Sequence, residues 1–152
     1  MSSPDRSTRP VVRARDDVLG YLLKHAHFAL EERTDAALAP FGITSRDLGA
    51  LRVIAGGGAR SQQDVAGVLG VDRTSMVALL DILERAGVLA RRPSEQDRRR
   101  NVVELTDTGR ELFFQAERAA LTVEQDFTSA LGANGASELR GALRAMLAAT
   151  AH

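Results

Sequence analysis

The chain has 152 residues, with 20 basic against 20 acidic side chains for a formal net charge of +0, and no cysteine. Its length and 44% hydrophobic content suit one compact domain, or a domain whose helices also serve a subunit interface. The lack of thiols excludes structural disulfides and cysteine-based redox sensing. Zinc would have to use His, Asp and Glu, and the three histidines form no ligand cluster.

Aromatic residues make up only 4%, so Leu, Val and Ala must build the core, which favours closely packed helices. No leader-like apolar run follows a basic start, and no apolar stretch is long enough to span a bilayer. A cytoplasmic protein without a membrane partner is the expectation. Neutral net charge gives no global argument for a polyanion partner, but the charge is unevenly placed. Arg85, Arg91, Arg92, Arg98, Arg99 and Arg100 crowd one short region against Glu84, Glu95 and Asp97. Phosphate contacts act at short range in salt, so such a local patch suffices for DNA.

In chain order, residues 1–15 are rich in Ser, Pro and Arg and read as an arm, either a loose tail or a DNA contact. Asp16 or Asp17 can open a long helix with Leu19, Leu22, Leu23, Ala26 and Leu30 on one stripe, ended by Pro40 and Gly42. A second helix is capped by Thr44 or Ser45 and carries Leu48, Leu51, Val53 and Ile54. The glycines of Ala55-Gly56-Gly57-Gly58-Ala59 lack the Gly-Lys-Ser/Thr ending of a phosphate loop and form a turn.

From Arg60 to Thr106 the pattern is helix, turn, helix and hairpin. Ser61 to Leu69 is stopped by Gly70, and Asp72 is a good cap for a helix from Arg73 to Ala86. Met76, Leu79, Leu80 and Leu83 give that helix its core face. Arg73, Thr74, Ser75, Val77, Ala78 and Asp81 lie near or on its outer side. Val88 to Arg92 and Asn101 to Leu105 are strands around the loop Pro93 to Arg100. This is a winged helix-turn-helix: mainly α, with a small β-hairpin wing. Its second helix suits the major groove, with Arg73, Thr74 and Ser75 reaching bases or phosphates and Val77 and Ala78 meeting thymine methyls. For Val77 and Ala78, packing against neighbouring helices is the competing reading.

Thr106 caps a long helix with Leu112, Phe113, Ala116, Ala120, Val123, Phe127 and Leu131 on its stripe. Gly132-Ala133-Asn134-Gly135 breaks the chain, and a last helix from Ala136 or Ser137 buries Leu139, Ala142, Leu143, Met146 and Leu147. Stripes of this length exceed what a small winged domain needs and suggest a partner subunit. The organisation read from the chain is therefore an arm at 1–15, a winged helix-turn-helix at 44–105, and dimerisation helices at 16–40 and 106–152. No Gly-x-Ser-x-Gly nucleophile and no metal-ligand spacing occurs, so neither an enzyme nor a cofactor is expected.

The run Asp97-Arg98-Arg99-Arg100-Asn101-Val102-Val103-Glu104-Leu105-Thr106-Asp107-Thr108-Gly109 closely resembles the MarR family signature. So do Leu69-Gly70-Val71-Asp72-Arg73-Thr74-Ser75 and Leu83-Glu84-Arg85-Ala86-Gly87-Val88-Leu89, and the similarity covers nearly the whole chain. The resemblance implies a homodimer joined by its N- and C-terminal helices. It also implies a transcriptional regulator, more often a repressor, reading a pseudo-palindromic double-stranded operator. Arg99 would enter the flanking minor groove and Asp97 would brace the wing. Many members are polar or basic where Val77 and Ala78 stand, which shifts weight to Thr74, Ser75 and the wing. The resemblance further implies a pocket for a phenolic or other aromatic carboxylate effector, with Arg15, Tyr21, His25, His27, Phe28 and Arg52 as candidates. A hydrogen-bonded interface histidine is the alternative for His27. The competing function is a winged-helix module that binds protein partners without reading DNA sequence.

Overall fold

The computed structural model describes residues 14–57 and 60–150. The expected arm up to residue 13, the loop residues Gly58 and Ala59, and His152 lie outside the described residues. Helix α1 spans Leu19–Leu38. It starts later than the acids at 16 and 17 suggest, because Arg15–Asp17 form their own 3-10 turn and Val18 is extended, with φ −87° and ψ 117°. A β-branched residue held extended at that point separates the acidic turn from the helix. At the other end a short 3-10 turn contains Pro40, and Gly42, at φ 70°, terminates the helical run.

Helix α2, Ser45–Ala55, begins with a capping box. The Asp47 carboxylate accepts from the Thr44 amide at 2.8 Å, and the Thr44 hydroxyl accepts from the Asp47 amide at 3.3 Å. The Ser45 amide also donates to the Asp35 carboxylate at 2.6 Å, which ties the start of α2 to α1. The same device recurs before α3, Gln62–Leu69, where Ser61 and Asp64 form the box and Gly70, at φ 62°, ends the helix. Helix α4 spans Arg73–Arg85 behind its cap Asp72.

Strands β2, Leu89–Pro93, and β3, Asn101–Leu105, form the expected antiparallel hairpin, with Leu89 opposite Leu105 and Pro93 opposite Asn101. A third strand, β1 at Arg60–Ser61, pairs with β3 on the other side, giving the order β1-β3-β2. Two residues carry no periodicity, so this strand exists only through its partner and could not be read from the chain. Leu38, Leu48, Leu51, Val65, Met76, Leu80 and Val103 form the fully buried centre, and Ala116 and Ala120 close it from above.

Those two alanines belong to α5, Asp107–Thr128, which packs along α1. Helix α6, Gly132–Thr150, starts four residues earlier than the glycines at 132 and 135 suggest. The break is confined to a 3-10 turn at Ser129–Leu131 and to Gly132, at φ 76°. A Cβ on Gly135 would stand 2.5 Å from that of Leu131, so the second glycine permits a tight corner and remains helical. The expected burial of Leu139, Met146 and Leu147 does not occur within one chain: all three are exposed, Leu147 by 69%. Leu19, Leu22 and Leu23 on α1 are exposed as well. Among the described residues no helix is long and apolar enough to cross a membrane, and no cluster of metal-binding side chains forms.

Candidate nucleic-acid interface

Helix α4 is capped by Asp72, whose carboxylate accepts from the Ser75 amide at 2.9 Å. Hydrogen bonds from Ser75, its side chain first and then its amide, hold the Asp72 carboxyl below its ordinary value. A lowered folded value means that the cap stabilises the protein fully above the unfolded pKa. That contribution is lost as pH falls through the folded value, below 3.8. Asp72→Ala is therefore expected to lower the melting midpoint at pH 7 but not in strong acid. A difference independent of pH would show that the carboxylate charge is not what caps α4.

The facing of α4 follows the sequence pattern. Met76, Leu79, Leu80 and Leu83 are buried, while Arg73, Thr74 and Ala78 are exposed and Ser75 and Val77 are half-buried. Val77 thus has one side against the protein, and Ala78 faces outward.

The wing loop is held by short-range bonds. The Ser94 amide donates to the Arg100 carbonyl at 2.8 Å, and the Arg100 amide donates to the Asp97 carbonyl at 2.9 Å. The Asp97 carboxylate accepts from the Arg99 amide at 3.0 Å, which bends the chain at the tip. Arg98, Arg99 and Arg100 are all exposed, and none enters an ion pair among the described residues.

The remaining arginines of the expected basic patch are committed to other contacts. Strand alternation sends Arg91 toward α4, where it pairs with Asp81 and Glu84. Arg92 lies 3.6 Å from Glu104, and Arg85 donates to the Asp81 carbonyl at 3.1 Å. The patch narrows to the wing tip and Arg73.

Between α3, α4 and the wing lies a hollow of about 270 Å³, rimmed by Gln62, Gln63, Arg73, Arg100 and Asn101 over Met76 and Val77. It joins the start of α4 to the end of the wing loop. Gln62, Gln63 and Asn101 were not singled out from the sequence. Their signal was position: two polar residues directly after the Ser61 cap, on the helix that crosses the backbone in this motif.

The expected effector residues do not converge. Arg15 stacks 4.8 Å from the Tyr21 ring, and Tyr21 lies 4.0 Å from His25, forming one group at the start of α1. His27 lies 3.7 Å from Glu31 on a different side, Phe28 stands exposed beside Lys24, and Arg52 is paired with Glu117. One cause is helical geometry, since residues two apart point in different directions. A hollow of about 540 Å³ lies elsewhere, lined by Ile54, Ala55, Glu104, Leu105, Arg110, Phe113 and Phe114. It combines two aromatic rings with a cation whose Nε is 3.6 Å from Asp107.

A family model described as MarR family matches residues 41–100. The chain is 34% identical over 103 residues to a putative transcriptional regulatory protein for the hcr operon of Thauera aromatica. That match covers 68% of this chain and 62% of the relative, so it spans less than two thirds of that protein. It is 35% identical over 104 residues to the HTH-type transcriptional repressor Rv2887 of Mycobacterium tuberculosis, covering 68% of this chain and 75% of the relative. Among solved structures, the transcriptional repressor CouR bound to a 23-mer DNA duplex is similar, with a TM-score of 0.77 at 32% identity. The match covers 93% of this chain and all of that one (100%).

Proposed function

The chain belongs to the MarR family of transcriptional regulators, and from that premise we propose that it acts as a homodimeric repressor of a pseudo-palindromic operator. The observation that carries this reading is the wing tip. Three arginines without acidic partners stand on a hydrogen-bonded loop beside the exposed start of α4. In the proposed complex Arg73 and Thr74 reach base edges or phosphates in the major groove, and Ser75 lies beside them as part of the cap. Ala78, with the outer side of Val77, offers apolar contact to thymine methyls. Arg99 enters the minor groove, with Arg98 and Arg100 on the flanking phosphates and Asp97 holding the tip.

Dimerisation is supported by the exposed leucines of α1 and α6, which a second copy would cover. A dimer would present two such units to a two-fold site. Arg110, Phe113 and Phe114 suit an aromatic carboxylate effector better than the candidates scattered over Arg15, α1 and Arg52.

Selection from a random duplex library tests the reading. Enrichment of a two-fold-related motif, with two chains per duplex by sedimentation, is expected. Absence of an enriched motif would return the winged surface to a protein-binding role.

A further inference from the structure

We propose that Arg91 is a positioning residue that locks the wing onto the recognition helix, so that DNA engages both at once. The inference rests on the DNA-binding reading above. Arg91 sits in the middle of β2, opposite Val103, and its side chain leaves the sheet toward α4. Its Nη2 lies 2.6 Å from an Asp81 carboxylate oxygen, and its Nη1 is hydrogen-bonded to Glu84. Asp81 and Glu84 are three residues apart and share one face of α4, so a single guanidinium spans both.

The clamp connects the two elements that would touch DNA. The first half of α4 carries Arg73, Thr74 and Ala78, and the far end of the hairpin carries Arg98 to Arg100. At its base the hairpin is held by the Thr106 amide and hydroxyl on the Val88 and Gly87 carbonyls. Base contacts alone leave a narrow hairpin free to tilt. A brace partway along β2 fixes the angle at which the tip leaves the helix.

Stability alone is a poor explanation for this arrangement. The Arg91 side chain is only 17% exposed, and its buried Nε has no hydrogen-bond partner among the described residues. A guanidinium withdrawn from water with one donor unsatisfied recovers little net energy compared with a packed apolar side chain. What the planar fork supplies, and a lysine or a leucine does not, is a fixed orientation between two carboxylates. Holding two binding elements at matched spacing makes engagement of the second effectively intramolecular, and a wrong spacing forfeits that gain.

Electrostatics and positioning predict opposite signs. Asp81→Asn with Glu84→Gln keeps side-chain size, removes two negative charges beside a polyanion and frees a cation. Charge alone would therefore tighten binding. If the clamp positions the wing, the double variant binds the selected operator roughly tenfold more weakly at fixed salt. Arg99→Ala then costs less in that background than in the wild type. Arg91→Lys, which retains the charge but not the fork, should show the same two effects with an unchanged circular dichroism spectrum.

Equal or tighter binding by the carboxylate variant, or an undiminished cost of Arg99→Ala within it, overturns the inference while leaving DNA binding intact. A wild-type protein that selects no duplex defeats the DNA-binding reading and the inference together.

Discussion

Arg99→Ala is expected to weaken operator binding by about tenfold, roughly 1.4 kcal/mol, without changing the melting midpoint. The side chain is exposed and in no ion pair among the described residues, so its removal leaves no charge unsatisfied in the free protein. An inserted arginine gains from the concentrated negative potential of a narrow minor groove, so the loss should be greatest on A·T-rich flanks. The neighbours Arg98 and Arg100, read as phosphate contacts, should behave differently. Each alanine there lowers affinity uniformly across sequences and reduces the slope of log affinity against log salt by about 1. Arg92→Ala is the internal comparison, because that arginine already lies beside Glu104. Affinity measured over a salt series on matched A·T and G·C flanks separates these outcomes. An Arg99→Ala protein that binds both flanks as the wild type does would remove the minor-groove role.

Gly109→Ala is expected to destabilise the fold by about 3 kcal/mol, lowering the melting midpoint by roughly 10 °C. A methyl group built on Gly109 would lie 2.0 Å from the Val88 carbonyl oxygen and 2.9 Å from its carbon. Those atoms are backbone and cannot step aside. The Val88 carbonyl also accepts from the Thr106 amide at 3.1 Å, and the Thr106 hydroxyl donates to the Gly87 carbonyl at 2.6 Å while accepting from the Gly109 amide at 2.9 Å. The start of α5 is thus docked on the turn between α4 and β2, and only a residue without a side chain permits the approach. The contrast is Gly67→Ala, in the last turn of α3 with open space around it, which should stabilise the protein by up to about 1 kcal/mol through helix propensity. Thermal or denaturant unfolding of both variants decides the matter. A neutral Gly109→Ala would mean that α5 is not seated on Val88.

The same contacts explain why Leu105-Thr106-x-x-Gly109 is a recognisable pattern. The leucine is buried, the threonine both caps α5 and binds the preceding turn, and the glycine gives the clearance. Each requirement concerns residues close in sequence or the next turn of chain, so the pattern is visible in one dimension. Helix order, the Thr44, Asp72 and Thr106 caps, the Gly42 and Gly70 stops, the hairpin and the buried face of α4 were legible for the same reason. Capping, left-handed turns and helical periodicity are local physics.

What one dimension could not show were side-chain partners across elements and the identity of whatever covers an apolar stripe. Arg91 and Arg99 are the same residue type eight positions apart in one basic run. Alternation in β2 turns the first onto Asp81 and Glu84, whereas the wing turn leaves the second in solvent. Arg52 on α2 pairs with Glu117 on α5, a partner 65 positions away that chain order hides. The leucines of α6 are periodic enough to read as buried, yet the single chain leaves Leu139 and Leu147 exposed, because periodicity records that a face is apolar and not what lies against it. By itself the sequence determined most of the local elements with their caps and stops, but not the starts of α1 and α6 or the two-residue β1. The tertiary structure decided which arginines remain free for a polyanion and which are held by carboxylates, since strand direction and helix packing bring together charges that the chain order keeps apart.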